Sequence, residues 1–235
     1  MRLGLVLALL FLPLALPGCA SSGDVPAQDV QAGDFISLPE ASLEGKVSVE
    51  EALFERRSIR EYSDASLSLE EVSQLLWAAQ GMTADWGGRT APSAGALYPL
   101  EVVLVAGNVE GLDAGVYRYE PPEHRLAAMQ PGDIRGELAV ASLGQSSVSD
   151  GAIVLVIGAV YERATAKYGE RGVRYVHMEA GHAAQNVCLQ ATALGLGNAV
   201  VGAFSDSEVK ETLGLAEDEA PLYVIPVGRV GTDAA

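Results

Sequence analysis

Residues 56–60 read Arg56-Arg57-Ser58-Ile59-Arg60, three guanidinium groups and a hydroxyl within five positions. Arginine presents a planar fork of donors that grips phosphate in bidentate fashion, so this density suits a phosphorylated ligand. The same residues also serve a solvated helix end that complements its own dipole. A second segment, Ala91-Pro92-Ser93-Ala94-Gly95-Ala96-Leu97-Tyr98-Pro99, carries side chains small enough for a planar ring to lie against backbone, or forms an ordinary turn. A third, Lys167-Tyr168-Gly169-Glu170-Arg171, places two proton-handling side chains next to each other. Such a pair moves protons if it is buried beside a reacting group, and is otherwise a surface pair. Finally, Gly195, Gly197 and Gly202 punctuate the end of a long apolar stretch, giving a backbone that turns sharply and approaches a ligand closely. A plain helix cap followed by a turn uses the same glycines.

These residues need elements to hold them. Residues 179–195 are dominated by Ala, Gly, Val, Leu and Cys, with His182, Gln185 and Asn186 interleaved; a helix so apolar, expected over 175–194, is buried on most sides. A shorter helix is expected over 47–57, ending at the arginines. Ser68-Leu69-Glu70-Glu71 is a capping box opening a helix to Gln80, with Leu69, Val72, Leu75, Leu76 and Ala79 as its apolar stripe. Strands are expected over 100–106, 152–160 and 222–227, and a hairpin over 115–119 and 125–129 around Pro121-Pro122. Helices are expected over 133–143 and, from a second capping box at Ser205-Asp206-Ser207-Glu208, up to Gly214. Helices and strands mix without a strict βαβ order, so the class is α+β.

The N-terminus gives a location. Arg2 is followed by an apolar run over 3–16 and then Leu16-Pro17-Gly18-Cys19 before Ala20, Ser21 and Ser22. The run is too short for a spanning helix and reads as a secretory signal over 1–18. Its end resembles a bacterial lipobox, in which Cys19 is lipidated; an ordinary cleaved signal with a chance cysteine is the other reading. Residues 19–40 read as a flexible tether, and 41–235 as one domain long enough for a sizeable core. The expected place is therefore the cell envelope, with an exported protein anchored by its lipid. Cys188 then lacks a partner and reads as a buried thiol. The net charge of −16 disfavours nucleic acid as a partner, and His124, His177 and His182 lack metal-site companions at useful spacing.

In order, RRSIR, PSAGALYPLE, KYGERG, EAGHAAQN, VGAF and PVGR resemble the nitroreductase superfamily, and within it the SagB/ThcOx-type dehydrogenases. The resemblance covers residues 49–229. It implies an α+β sandwich, a homodimer with FMN in its interface, and NAD(P)H or the substrate itself as electron donor. It further implies that Arg56, Ser58 and Arg60 hold the flavin phosphate and ribityl chain, with Arg57 contributing main chain and Arg229 reaching the phosphate. Pro92, Ser93 and Ala94 would meet the flavin from the partner subunit. Val201, Gly202 and Ala203 would line the isoalloxazine near N5, and Lys167 and Tyr168 would be catalytic. Ala96 and Tyr98 stand where ordinary nitroreductases carry Asn and Gln, which disfavours nitroarenes as substrates. The expected activity is hydride exchange between flavin N5 and a small organic substrate. A lipid-anchored flavin electron carrier or redox sensor and a peptide azoline oxidase are the alternatives.

Overall fold

A computed structural model describes residues 31–231. The signal-like run, Cys19 and the first part of the tether lie outside the described residues. In chain order the elements are β1 (Phe35–Ser37), α1 (Val49–Glu55), β2 (Tyr62–Ser63), α2 (Leu69–Gln80), β3 (Leu100–Ala106), β4 (Gly115–Glu120), β5 (Arg125–Pro131), α3 (Arg135–Ala141), α4 (Ser146–Asp150), β6 (Ile153–Val160), α5 (Glu162–Tyr168), α6 (Arg171–Ala193), β7 (Leu196–Asn198), α7 (Asp206–Leu213) and β8 (Glu219–Val230).

The strands form a single sheet in the order β1-β5-β4-β3-β6-β8-β2, with β7 on β8, and every strand pair is antiparallel. Strand β6 is apolar and buried at every position, and β3 departs from that only at Glu101, because both faces of the central sheet are covered. Along β3 and β6, Val102, Leu104, Ile153, Leu155 and Ile157 pack with α2 and α6, while Val103, Val105, Val154 and Val156 pack with α3, α4 and α7. This alternation is the two-residue period of a strand turned into two cores, one per face.

Local signals set several boundaries. Ser68 and Glu71 close the capping box reciprocally, at 3.3 and 2.9 Å, so α2 starts where the sequence places it. Strand β3 and the β4–β5 hairpin also fall where expected. Other expectations are corrected. Residues 35–37 form β1 on β5, so the ordered domain begins inside the segment read as tether. Helix α6 begins a full turn before residue 175, and β8 extends on both sides of 222–227. Ser205 caps α7 by position only, because its hydroxyl lies 3.4 Å from that of Ser207 and bonds no backbone N–H of the helix.

Candidate active site

Two clusters gather the chemically loaded residues. The first forms where α1 ends. Arg56 is the C-cap residue of α1, and the N–H of Ile59 donates to the Asn198 carbonyl of β7 at 2.8 Å. The 56–60 strip therefore runs beside the segment that leads to Val201, Gly202 and Ala203. Arg57 folds back and donates to the carbonyls of Phe54 and Arg56 at 2.8 and 2.9 Å, which occupies it as a helix cap. Among the described residues, neither Arg56 nor Arg60 has an ion-pair or hydrogen-bond partner for its guanidinium, and the Ser58 hydroxyl is exposed.

The next part of this cluster hangs from the sheet. Val201 exchanges two backbone bonds with Val224 at 2.8 and 2.9 Å, and the Ala203 carbonyl accepts from Gln145 at 2.9 Å. Gly202 and Ala203 are exposed, and among the described residues their N–H groups meet no acceptor. Free guanidinium forks beside outward-facing backbone donors suit a ligand with a terminal phosphate and a polar, acceptor-bearing ring edge. Arg229 stands apart. Its guanidinium grips Glu71 bidentately, both contacts 2.8 Å, and its Nε reaches the Ser66 carbonyl at 3.3 Å. In the structure this guanidinium makes an ion pair that ties β8 to the start of α2.

The second cluster surrounds the 92–98 segment. A single 3-10 turn over Ala94–Ala96 carries Gly95 at φ +65° and Ala96 at +53°, and just beyond it Tyr98 stands at +45°; positive φ is costly for the two non-glycine residues. At Gly95 an added Cβ would lie 2.5 Å from the Tyr168 hydroxyl and 2.8 Å from the Lys167 amine. The sequence's second and third segments therefore meet, with both proton-handling groups resting on the loop backbone where only glycine fits.

Helix α5, which presents Lys167 and Tyr168 in its last turn, packs against α6 because Gly172 allows close approach; a Cβ there would come within 2.8 Å of the α5 backbone at Ala164 and Thr165. Tyr168 stands edge-on to Tyr175 of α6, with ring centroids 5.2 Å apart. Arg163, one turn before Lys167, donates to the Tyr98 carbonyl at 3.2 Å and pairs with Glu101 at 2.5 Å. Arg89 stacks on the Tyr98 ring at 4.6 Å, its N–H donates to the Tyr98 hydroxyl at 3.3 Å, and its guanidinium donates to Gln80 at 3.0 Å. Glu179 of α6 is only 2% exposed; burial pushes its carboxyl up to about 7, against the opposing pull of the Ser93 hydroxyl and the Arg89 charge.

Arg89, Arg163 and Glu179 were not singled out from sequence. A signal for Glu179 exists: it shares the helical spacing of Val176, Ala180 and Ala183, so a carboxylate falls on a buried stripe. The two clusters lie on different stretches of α6. Glu179 marks the second, whereas Cys188, whose buried thiol is raised by burial and feels the charge of Arg56, marks the first. Nine residues of helix separate them by about 14 Å. Among the described residues, no helix is long and apolar enough to cross a membrane and no set of three or more His, Cys, Asp or Glu side chains is placed to hold a metal.

A match of the nitroreductase family profile spans residues 53–229, from inside α1 to the end of β8. This chain belongs to the nitroreductase family. Its α+β sandwich is the nitroreductase fold, and it is a nitroreductase-family oxidoreductase. A Methanocaldococcus jannaschii protein that carries the nitroreductase name is 47% identical over 197 residues, 84% of this chain and 98% of that one. The Escherichia coli microcin B17-processing protein McbC is 36% identical over 151 residues, 62% of this chain; the matched part is only 56% of McbC. A solved Ralstonia eutropha nitroreductase-type structure superposes with a TM-score of 0.75 at 30% identity, covering 90% of this chain and 97% of that one.

Proposed function

We propose that this nitroreductase-family protein is an FMN-dependent oxidoreductase working as a homodimer, with each flavin held between the first cluster of one subunit and the second cluster of the other. The separation of the two clusters along α6 carries this reading. Phosphate-ready arginines and free backbone donors occupy one stretch, proton-handling groups occupy another, and a second copy joins them into one pocket.

In this reading Arg56, Ser58 and Arg60 hold the phosphate and ribityl chain, and the N–H groups of Gly202 and Ala203 face the acceptor edge of the ring system. Pro92, Ser93 and Ala94 supply the opposite wall. When bound, FMN supplies hydride exchange at N5. Lys167 and Tyr168 hold a proton at the amine and the phenol oxygen over that wall, and Gly95 sets their height. NAD(P)H or the organic substrate itself is the electron donor. The lipobox-like Cys19 would place the enzyme in the bacterial cell envelope on a lipid anchor.

A second reading, oxidation of peptide azoline rings, draws support from the likeness to a microcin-processing protein and from the adjacent Lys167 and Tyr168. A carrier or sensor without turnover draws none from that pair, since electron transfer alone needs no positioned acid or base. Purification of the domain without its first 30 residues tests the reading. The expected product is a yellow dimer that releases FMN on denaturation and is reduced by NADH, NADPH or an organic donor under anaerobic conditions. A colourless protein that takes up no FMN, or a monomer that holds it, would overturn the two-chain site.

A further inference from the structure

Lys167 and Tyr168 are placed by contact alone. They rest where a Cβ on Gly95 would lie, and Tyr168 stands edge-on to Tyr175. Among the described residues neither side chain makes a hydrogen bond or an ion pair. Their height over the loop is therefore set by whatever fixes α5. That helix has no capping side chain at its start. Its polar grip on the 92–98 loop comes from Arg163, one turn before Lys167.

Arg163 and Lys167 are four residues apart, so they share a helix face and stand about 6 Å apart along the axis. The loop runs beside that face, with Gly95 at Lys167 and Tyr98 at Arg163. The guanidinium fork of Arg163 is divided between two acceptors. One Nη donates to the Tyr98 carbonyl at 3.2 Å and the other to Oε1 of Glu101 at 2.5 Å. The Glu101 carboxylate is held in turn from β4, where Arg118 donates to its Oε2 at 3.3 Å and to Glu219 at 2.9 Å. Glu219 also accepts from the Ala216 N–H at 3.1 Å, which anchors the far end. Exposure falls along this chain, from 42% at Arg163 to 19% at Glu101 and 8% at Glu219. The residue gripped at the loop end is Tyr98 at φ +45°, a backbone conformation that persists only when its surroundings hold it.

We infer that Glu101 and Arg163 are positioning residues for the reaction. Glu101, braced by Arg118, holds Arg163 on the Tyr98 carbonyl, and this clamp sets Lys167 and Tyr168 over Gly95. The clamp deepens the flavin reading above and rests on it for the role of Lys167 and Tyr168. An arginine is needed at 163 because one planar fork serves carbonyl and carboxylate together, which the point charge of a lysine does not reproduce.

The test uses the full chain carrying 3-fluorotyrosine, read by 19F NMR, together with turnover driven by whichever of NADH and NADPH reduces the flavin. Arg163→Met keeps the apolar stem and removes the fork, and at 42% exposure the side chain is no part of the core. The Tyr168 signal, assigned by its loss in Tyr168→Phe, should move in Arg163→Met and in Glu101→Gln. Turnover of the FMN-saturated enzyme should fall about ten- to a hundredfold in Arg163→Met, the cost of misplacing reacting groups by up to about an ångström. KM and FMN affinity should stay within about twofold, and Arg163→Lys should recover only part of the loss. Arg125→Met is the control, since it removes a pair of similar exposure, with Glu120, on the β4–β5 hairpin. It should leave both the Tyr168 signal and turnover unchanged.

An unmoved Tyr168 signal in Arg163→Met overturns the inference, as does a moved signal with full turnover. A turnover loss no larger than that of Arg125→Met overturns it too, because general stability would then explain the effect. The 19F measurement needs no flavin. A chain that binds no FMN would sink the flavin reading, whereas an unmoved signal in a flavin-loaded chain would sink the clamp alone.

Discussion

The arginine strip at 56–60 and the loop at 92–98 are built on opposite plans. In the strip, Arg56 and Arg60 have no partner among the described residues although the chain carries a net charge of −16. In the loop, Tyr98 alone is held through its carbonyl, its N–H, its ring and its hydroxyl. Unspent donors are what a binding site keeps for its ligand, since a cation already paired within the protein must break that pair to bind. Reacting groups have the opposite need, because their geometry must already be fixed when the substrate arrives. On the function proposed above, this contrast corresponds to binding at the first cluster and chemistry at the second.

The largest effect should come from the braced side. Lys167→Ala and Tyr168→Phe are expected to leave FMN bound and the dimer intact while turnover falls by about 10²–10⁴-fold, the contribution of a positioned acid or base. Stopped-flow flavin reduction and reoxidation would measure this. Full turnover in the double variant would dissolve the contrast and favour electron transfer without proton handling. Gly95→Ala sharpens the same point without touching either side chain. Its Cβ would collide with both, at 2.5 and 2.8 Å, on a backbone at φ +65°. Displacing reacting groups by about an ångström costs on the order of 10²-fold, so turnover should drop with little change in FMN content.

The open side predicts a different signature. Arg56→Ala and Arg60→Ala each remove charge-assisted bonds worth roughly 1.5–3 kcal/mol, so FMN affinity should fall at least about tenfold per substitution. Fluorescence titration of the apoprotein measures it, and the turnover of the saturated enzyme should change far less. Equal affinity in both variants would return these arginines to the role of a solvated helix end.

Much of this contrast was legible in sequence, and the parts that were not share a cause. The capping box at Ser68, the apolar run of β3 and the small-residue loop are local signals, and each sits where its residues indicate. Helix α5 has no such signal. Its N-cap is Tyr161 with no side-chain bond, and its backbone lies so close to α6 that only a glycine fits at 172. Strand β1 exists through pairing with β5, some ninety residues away in sequence. The contacts of Arg163 with the Tyr98 carbonyl and with Glu101 likewise join three segments whose meeting only the fold decides. Motifs identified the groups, and tertiary packing decided which of them touch.

Arg229 gives the smallest effect and the finest test. The family resemblance implies a phosphate contact for Arg229, and in the structure its guanidinium pairs with Glu71, which also serves the α2 capping box. The pair is partly exposed, 36% and 17% for the two side chains, so a contribution of about 1 kcal/mol is the reasonable scale. For a domain of this size that corresponds to a melting temperature lower by roughly 2–4 °C in Arg229→Ala, readable by calorimetry. FMN affinity should stay within about twofold, because no bond to phosphate is being removed. Glu71→Gln separates the alternatives further. It weakens the pair and frees the guanidinium, so if Arg229 serves only to join β8 to α2, stability drops and affinity does not rise. A gain in FMN affinity on freeing it, or a tenfold loss in Arg229→Ala, would move Arg229 from the braced framework into the open binding strip.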